Sequence, residues 1–359
     1  MDPPAVAGLK KEMAQRILVR VPNWVGDAVM AFPFLASLKE NAPEATITVL
    51  CKRHLAPLFE RAHGVNRVIP LDDSRGARGW RSVIHNGSIL RKEKFDLAFC
   101  LPTSFGSALM LWRARIPRRV GHSAESRGLL LTNSIAYGKD GTRPFRPDGF
   151  LALLDLVFSN PVRATSRLYD PGPVARQEVD RIWRQSAITP SPPTLVIAPA
   201  AARRNGAWPA DRFAAVAGRW IAERSGSVIV LGSHKDRALC STVAQSAGEG
   251  GVWNLAGAGS LTVAAEIIRR SNLFFGNQSG LGHLATAVGT ASVIISGPDD
   301  PDETAPRPPY SQNVRRPPFC APCYQNTCWR KDHPLECQEN VTVDDVWAHI
   351  RRAPQASAI

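Results

Sequence analysis

The sequence lacks any long hydrophobic run, although 44% of its 359 residues are apolar. A helix that crosses a bilayer needs roughly 20 consecutive apolar residues, and no stretch approaches that length. Residues 1–15 carry charges but no apolar stretch followed by small residues, so we expect no secretory signal peptide. We therefore expect a globular, cytoplasmic protein, and its length suits two domains of ordinary size.

Other absences narrow the chemistry. No glycine-rich loop carries the lysine of a P-loop, which argues against an ATPase. The 44 Lys and Arg residues outnumber the 31 Asp and Glu residues, and the formal net charge of +13 favours polyanionic partners. Because zinc-finger spacing, a persuasive helix-turn-helix pattern and a run of stacking aromatics are all missing, we expect no nucleic-acid partner. A phosphorylated substrate and an anionic membrane face remain as candidates.

The seven cysteines form two sets. Three stand alone in apolar or helical segments and are typical of buried hydrophobic residues: Cys51, Cys100 and Cys240. The other four crowd into eighteen residues: Cys320, Cys323, Cys328 and Cys337. In a reducing compartment, four thiols this close predict a structural zinc or iron site. The alternative is a surface loop with free thiols or two labile disulfides.

Short apolar runs alternate with helical patterns along the chain, which predicts an α/β fold with parallel sheets. The predicted strands are 16–21, 45–51, 65–71, 95–101, 194–198, 227–231, 251–255, 273–276 and 291–296. We predict two Rossmann-like domains that face a central cleft. The predicted divisions are an acceptor-binding domain at 1–165, a proline-rich linker at 166–193, a nucleotide-sugar-binding domain at 194–340 with a Cys-rich loop at 320–337, and a terminal helix and tail at 341–359. We expect that last helix to pack back across the domains.

Two loops of the carboxyl-terminal half have the composition of a diphosphate site. Residues 277–283 end a predicted strand and open a helix, where small residues let a phosphate approach free backbone N–H groups. The next strand ends in a second Gly/Pro loop, 297–301, at the same edge of the sheet. The predicted donor-binding residues of these loops are Asn277, Gln278, Ser279, Gly280, His283 and Gly297.

Asp27 follows Gly26 where the first strand gives way to its helix. Such an aspartate is either a helix cap or a functional carboxylate near the cleft. An inverting sugar transfer requires a carboxylate that removes the acceptor hydroxyl proton while the diphosphate leaves from the opposite face. The spacing alone leaves both interpretations open.

Several motifs, in order, resemble the ADP-heptose:lipopolysaccharide heptosyltransferases of glycosyltransferase family 9. The resemblance covers roughly residues 16–350, so it extends over most of the chain. The matching segments are the amino-terminal signature at 22–30, heptosyltransferase II-like segments at 101–108 and 116–121, and the donor loop at 277–283 with Gly297 and Pro298.

The resemblance implies a GT-B fold and an inverting transfer of L-glycero-D-manno-heptose from ADP-heptose, with no metal needed for the transfer. It also implies a lipid A–Kdo–heptose acceptor and a protein that is peripheral at the cytoplasmic face of the inner membrane. Carried over, Asp27 matches the catalytic base, and Ser279, Gly280 and His283 match donor-phosphate contacts. The acceptor-binding residues are then Asn23, Trp24, Thr103, Ser104 and Arg118.

Two positions depart from the family pattern, which usually has Asp where this chain has Gln278 and Lys where it has Gly206. Arg203 and Arg204 lie on the same loop as Gly206, and we predict that they grip the donor diphosphate in place of the lysine. The departures leave two alternatives open: a GT-B transferase that uses another nucleotide sugar, and a non-catalytic paralogue that binds the donor. The presence of Asp27 favours a catalyst. Some heptosyltransferases of this kind carry a similar cysteine-rich stretch, and a related autotransporter-modifying group holds iron with four cysteines.

Overall fold

The computed structural model describes residues 14–71, 79–124, 126–138, 143–163, 168–201, 203–248 and 250–353. Two six-stranded sheets are parallel throughout, as the alternation of strands and helices predicts. The first sheet contains β1 Arg16–Arg20, β2 Thr46–Cys51, β3 Arg67–Pro70, β4 Leu97–Cys100, β5 Arg118–His122 and β6 Asn133–Ile135. The second contains β7 Thr194–Ala198, β8 Ser227–Val230, β9 Val252–Asn254, β10 Leu273–Asn277, β11 Ser292–Ile295 and β12 Ser311–Val314.

Helices connect the strands. In the amino-terminal half they are α1 Val25–Val29, α2 Phe32–Asn41, α3 Ala56–Phe59, α4 Trp80–Lys92, α5 Phe105–Arg113 and α6 Arg146–Leu151. In the rest of the described chain they are α7 Gly172–Gln185, α8 Ala210–Arg224, α9 Arg237–Ser246, α10 Leu261–Arg269, α11 Gly280–Ala287, α12 Pro301–Thr304, α13 Glu336–Glu339 and α14 Val343–Arg352. No described helix combines the length and apolar character needed to cross a bilayer.

Both sheets share one strand order, which positions the functional loops. The orders are β3-β2-β1-β4-β5-β6 and β12-β11-β10-β7-β8-β9, so each sheet reverses direction between its first and fourth strand. Ligands of such sheets bind at this reversal, beyond the carboxyl ends of the strands. The loops after β1, β4, β7 and β10 therefore occupy the binding positions, and they carry most of the predicted site residues.

The two halves meet at these loops. Helix α1, which follows β1, contacts α11, which follows β10. One cluster of buried apolar side chains is continuous across the junction, since it includes Val19 and Leu35 of the first half together with Phe274 and Leu284 of the second. The loops at the carboxyl edges of the two sheets therefore meet beside a shared apolar core.

Several elements differ from the sequence-based expectations. The segment predicted as a linker contains α7, whose buried residues Ala175, Val179 and Ile182 repeat at helical spacing, and it packs against α10. The prolines around that segment obscure this spacing in the sequence. The last helix, α14, packs on α8, β11 and β12 of the second half, so the expectation that it spans both domains is not met in the described residues. Strands β5, β6 and β12 are additions to the predicted set.

Candidate active site

Asp27 lies in the first turn of α1, but it is not a helix cap. The N-cap residue is Trp24, and no side chain makes a capping hydrogen bond there. The Asp27 carboxylate instead accepts a charged hydrogen bond from Arg146 on α6, with 2.9 Å between Oδ1 and Nη1. The other terminal nitrogen of Arg146 contacts Glu303 on α12 at 2.7 Å. An aspartate–arginine–glutamate chain therefore crosses from the first half of the molecule to the second.

Burial and charge act in opposite directions on Asp27. Burial raises the pKa of its carboxyl above the usual value, and the Arg146 guanidinium partly offsets this effect. The charge of Glu303 also raises the pKa of Asp27. Glu303 itself is 2% exposed, so its carboxylate is withdrawn from water. A carboxyl whose pKa is raised holds a proton more readily than an exposed one, as a general base must.

Helices α1 and α11 approach so closely that glycine is needed on each. A methyl group on Gly280 would lie 2.5 Å from Cβ of Val25, and one on Gly26 would lie 2.8 Å from Cδ2 of His283. Contacts this short exclude a Cβ atom unless the neighbouring groups shift. His283 is thereby packed beside the residue that precedes Asp27, and burial together with the charge of Arg146 lowers its pKa to about 4. A neutral imidazole at this position can donate one hydrogen bond.

The start of α11 exposes polar groups that lack protein partners. Backbone N–H groups in the first turn of a helix have no acceptor within that helix. Ser279 Oγ and Gln278 Oε1 are buried polar atoms without a hydrogen-bond partner among the described residues, and so are Arg146 Nε and Glu303 Oε2. Buried polar atoms are normally satisfied. These four atoms are therefore candidates for contact with a polar ligand.

Asn277 has a different role from the one predicted. Its side chain is fully buried, where Oδ1 accepts from the backbone N–H of Trp208 at 3.1 Å and Nδ2 donates to the carbonyl of Pro199 at 2.7 Å. Asn277 therefore ties the loop after β10 to the loop after β7. The structure assigns it to the support of the loop, because its side chain does not reach the cleft.

Arg203 lies on the loop after β7, and its guanidinium pairs with Asp299 of the loop after β11. Burial raises the pKa of Asp299, and Arg203 opposes the rise. The charge of Arg203 also reaches Asp27, whose pKa it lowers. Arg203 therefore lies where the loops after β7 and β11 meet, near Asp27, while the side chain of Arg204 lies outside the described residues.

Gly297 faces the Cys-rich segment. A methyl group there would lie 2.0 Å from Nε2 of Gln338, so the glycine admits this side chain to the back of the donor loop. The carbonyl of Pro298 accepts backbone N–H groups from Cys323 at 2.9 Å and Tyr324 at 3.1 Å. The prediction that Gly297 contacts the donor is not supported by this packing, which makes the Cys-rich segment a brace for the loop.

The loop after β4 forms the opposite wall. Thr103 and Ser104 lie beyond the carboxyl end of β4, where the Ser104 hydroxyl is 2.8 Å from that of Ser107. Arg127 is completely buried beneath this loop and donates to the carbonyls of Pro102 and Ser104. Its guanidinium therefore fixes the backbone of the predicted acceptor loop.

Two other predicted acceptor residues lie in the loop after β1. Trp24 is 68% exposed, and Asn23 accepts a hydrogen bond of 2.6 Å from Arg20. Both adjoin Asp27 and are open to an acceptor. Arg118 is in a different place, because it begins β5 and pairs in register with Leu97, at the amino ends of the strands. Its position is inconsistent with the predicted acceptor contact, since the cleft lies at the opposite edge of the sheet.

The four clustered cysteines line one small cavity, together with Pro298 and Asn205. Burial raises the pKa of Cys337 to about 11, and the other three thiols add to this effect. In the described part of the chain, however, no group of three or more His, Cys, Asp or Glu side chains is arranged to hold a metal ion. The thiols are gathered, but they do not form a coordination shell.

Comparison with known proteins decides the family. Residues 84–333 match the model of glycosyltransferase family 9 (heptosyltransferase), which is more than half of the chain. The chain belongs to this family. It is therefore a glycosyltransferase, in agreement with the resemblance carried by its motifs.

Among its relatives, the chain is 32% identical to lipopolysaccharide heptosyltransferase 2 of Salmonella typhimurium, with 84% of this chain and 87% of the relative covered. The Escherichia coli K12 heptosyltransferase 2 is 30% identical over the same shares. The solved structure of E. coli ADP-heptose lps heptosyltransferase II superposes with a TM-score of 0.75 at 25% identity, covering 94% of this chain and 98% of the other. The predicted GT-B fold of this family 9 enzyme is thus confirmed.

Sequence reasoning did not find Arg146, Glu303 and Arg127. Each stands outside the motifs, and two of them act through partners more than 100 residues away in the chain. Arg146 has one signal in the sequence, because it precedes a proline at the start of a helix. That signal predicts a helix start and not a partner for Asp27.

Proposed function

We propose that this family 9 enzyme transfers L-glycero-D-manno-heptose from ADP-heptose to the heptose-bearing inner core of lipopolysaccharide, with inversion at the anomeric carbon. The observation that carries the proposal is the position of Asp27, whose carboxylate lies where the loop after β1 meets the start of α11. The names of the relatives support the sugar and the acceptor.

The residues of the cleft divide the work of such a transfer. The acceptor oxygen attacks the anomeric carbon, Asp27 takes its proton, and ADP leaves from the opposite face of the sugar. The free N–H groups at the start of α11, with Ser279 and Arg203, meet the charge that develops on the leaving diphosphate. Neutral His283 adds a donor without adding charge. No step in this scheme requires a metal ion.

The direct test is to incubate the enzyme with ADP-heptose and a heptose-deficient core acceptor and to measure the mass of the product. We expect a gain of one heptose. Asp27→Asn should lower kcat by about 10²–10⁴-fold while donor affinity is retained. The exposed Asp155→Asn serves as the matched control. Undiminished activity in Asp27→Asn would refute the assigned base.

Donor choice needs a separate test, because Gln278 stands where the family usually has an aspartate. Its neutral amide donates a hydrogen bond to the Thr304 hydroxyl at 2.8 Å. A panel of nucleotide sugars is compared by thermal shift at equal concentration, since a ligand that binds the native state raises Tm by an amount that grows with the logarithm of its concentration divided by its Kd. ADP-heptose should give the largest shift. A larger shift with another sugar nucleotide would support the alternative transferase, and binding without turnover would support the non-catalytic paralogue.

The loop after β7 supplies the diphosphate contact in this proposal. Arg203→Ala combined with Arg204→Ala should weaken ADP-heptose binding strongly in calorimetry, because a guanidinium grips phosphate through two hydrogen bonds. Arg176→Ala, a partly exposed arginine of α7, is the control. Unchanged donor affinity in the double variant would contradict the prediction that these two arginines replace the lysine usual at position 206.

We also propose that the four clustered cysteines bind a structural zinc or iron ion, which would staple the segment that braces Pro298. The thiolate set suits either metal, and a shared cavity supports the idea, although the thiols must reorient to coordinate an ion. Metal analysis of protein purified without added metal is the measurement. Close to one equivalent is expected, and less than about 0.1 equivalent would count against the site.

A further inference from the structure

Among the exposed large apolar side chains of the amino-terminal half, four that are more than 40% exposed lie on three neighbouring elements. Trp80 is 62% exposed and Ile84 43% on α4, Trp112 is 47% exposed on α5, and Leu129 is 94% exposed on the 3₁₀ segment Arg127–Leu130. Single exposed apolar residues are normal on a protein surface. Four of them on three neighbouring elements form a patch, and such patches mark binding surfaces.

These elements pack side by side. A methyl group on Gly87 of α4 would lie 2.8 Å from Cβ of Arg113 on α5, and the rings of Trp80 and Phe105 are 6.1 Å apart at 72°. Helix α5 in turn contacts the 3₁₀ segment. The buried faces of α4 and α5 carry other residues: Ser82, Asn86 and Leu90 on α4, and Ala108 and Leu111 on α5. The exposed apolar side chains therefore project from the outer face of the two helices.

The stretch of sequence that carries α4 and α5 is also strongly cationic. Residues 80–119 hold eight Lys and Arg residues and only two acidic ones, a surplus of six in a chain whose total surplus is thirteen. Both acidic residues are occupied by other partners. Glu93 pairs with Arg67 at 2.6 Å, and Asp96 accepts the backbone N–H groups of Gln15 and Arg16. The cations of this span therefore have no acidic counterpart within the span itself.

The patch reaches the rim of the acceptor cleft. Trp80 and Phe105 stand in the first turns of α4 and α5, and α5 starts directly after Ser104 of the predicted acceptor loop. Leu129 belongs to the segment whose Arg127 holds the carbonyls of Pro102 and Ser104. An acceptor anchored in a surface beneath the patch would therefore have its polar end at the loop after β4.

We propose that the outer face of α4, α5 and the Arg127–Leu130 segment docks on an anionic lipid bilayer. Tryptophan and leucine enter the headgroup boundary, while the arginines and lysines meet lipid phosphates and keep their apolar stems against the surface. The docking deepens the proposed function, on which it rests only for the lipid-linked nature of the acceptor. Nucleic acid also binds basic and aromatic surfaces, but here the side chains that stand out are aliphatic as well as aromatic, which suits a lipid interface better than base stacking.

The test is flotation of the full-length enzyme with vesicles of phosphatidylethanolamine and phosphatidylglycerol, and with neutral phosphatidylcholine vesicles. We expect binding to the anionic vesicles that weakens with added salt, and little binding to the neutral ones. The combined variant Trp80→Ser, Trp112→Ser, Leu129→Ser should lower vesicle affinity about tenfold or more. Arg81→Gln with Arg91→Gln should lower it roughly fivefold per charge removed.

Controls separate docking from folding and from catalysis. Val174→Ser and Phe319→Ser change exposed apolar residues outside the patch, and vesicle binding should be unaffected. The patch variant should keep its Tm and its activity on a water-soluble, deacylated acceptor, which does not depend on docking. Equal vesicle binding by wild type and the patch variant, or no vesicle binding by wild type, would overturn the proposal. Tighter binding to a single-stranded oligonucleotide than to anionic vesicles would overturn it in favour of nucleic acid.

Discussion

Arg146 serves two carboxylates at once, and its charge is divided between them. Asp27 lies on one side at 2.9 Å and Glu303 on the other at 2.7 Å. Burial raises the pKa of Asp27, Arg146 lowers it, and Glu303 raises it again. The proton affinity of the base is therefore set by a residue from each half of the molecule.

This arrangement predicts two pH shifts of opposite sign. The base works when deprotonated, so the acid limb of kcat/KM follows the pKa of Asp27 in the free enzyme. Arg146→Gln removes the cation that lowers this pKa and should move the limb to higher pH. Glu303→Gln removes the anion that raises it and should move the limb to lower pH.

The measurement is a pH–rate profile with a soluble acceptor, and Glu178→Gln on the exposed side of α7 is the control. Shifts in the same direction for both variants would contradict the shared-cation account. A loss of activity that is equal at every pH would assign both residues to structure alone.

At the level of elements, the contact between α1 and α11 brings the base to the donor. Gly280→Ala places a methyl group 2.5 Å from Val25, so the helices must part. Overpacking of this kind costs about 1–3 kcal/mol. We expect kcat/KM to fall about tenfold or more, and the second substitution Val25→Ala to restore part of it because it clears the space.

Gly106→Ala is the matched control for this experiment, since its added methyl would meet Val83 at an ordinary 3.5 Å. Steady-state kinetics of the single and double variants give the coupling between the two positions. If Val25→Ala fails to improve Gly280→Ala, the close approach of the helices is not what the substitution disturbs.

The elements also show what the sequence can predict. Central strands such as β1, β4, β7 and β10 are buried on both faces, so they are apolar runs and were predictable. The edge strands β6 and β12, with sequences NSI and SQNV, carry polar residues and lack that signal. The functional loops were predictable because they follow the central strands. Arg146 and Glu303 were not, because only tertiary packing brings them to Asp27.

At the scale of the whole molecule, the apolar core is continuous between the two sheets. Two halves that share a core are expected to unfold together, because neither half keeps its buried surface when the other melts. Differential scanning calorimetry should therefore show one transition, with equal calorimetric and van't Hoff enthalpies. ADP should raise its midpoint. Two resolved transitions, with only the later one shifted by ADP, would indicate independent domains.

The pair of salt bridges that joins Asp27, Arg146 and Glu303 has a consequence for hydrolysis of the donor by water. Glu303 belongs to the half that carries the donor loop, while Asp27 and Arg146 belong to the other. If the halves part, Arg146 loses Glu303 and its whole charge acts on Asp27, which then becomes a poorer proton acceptor. We therefore expect water that enters the parted cleft to meet a weakened base, so a bound sugar nucleotide should be hydrolysed slowly until both halves close around an acceptor.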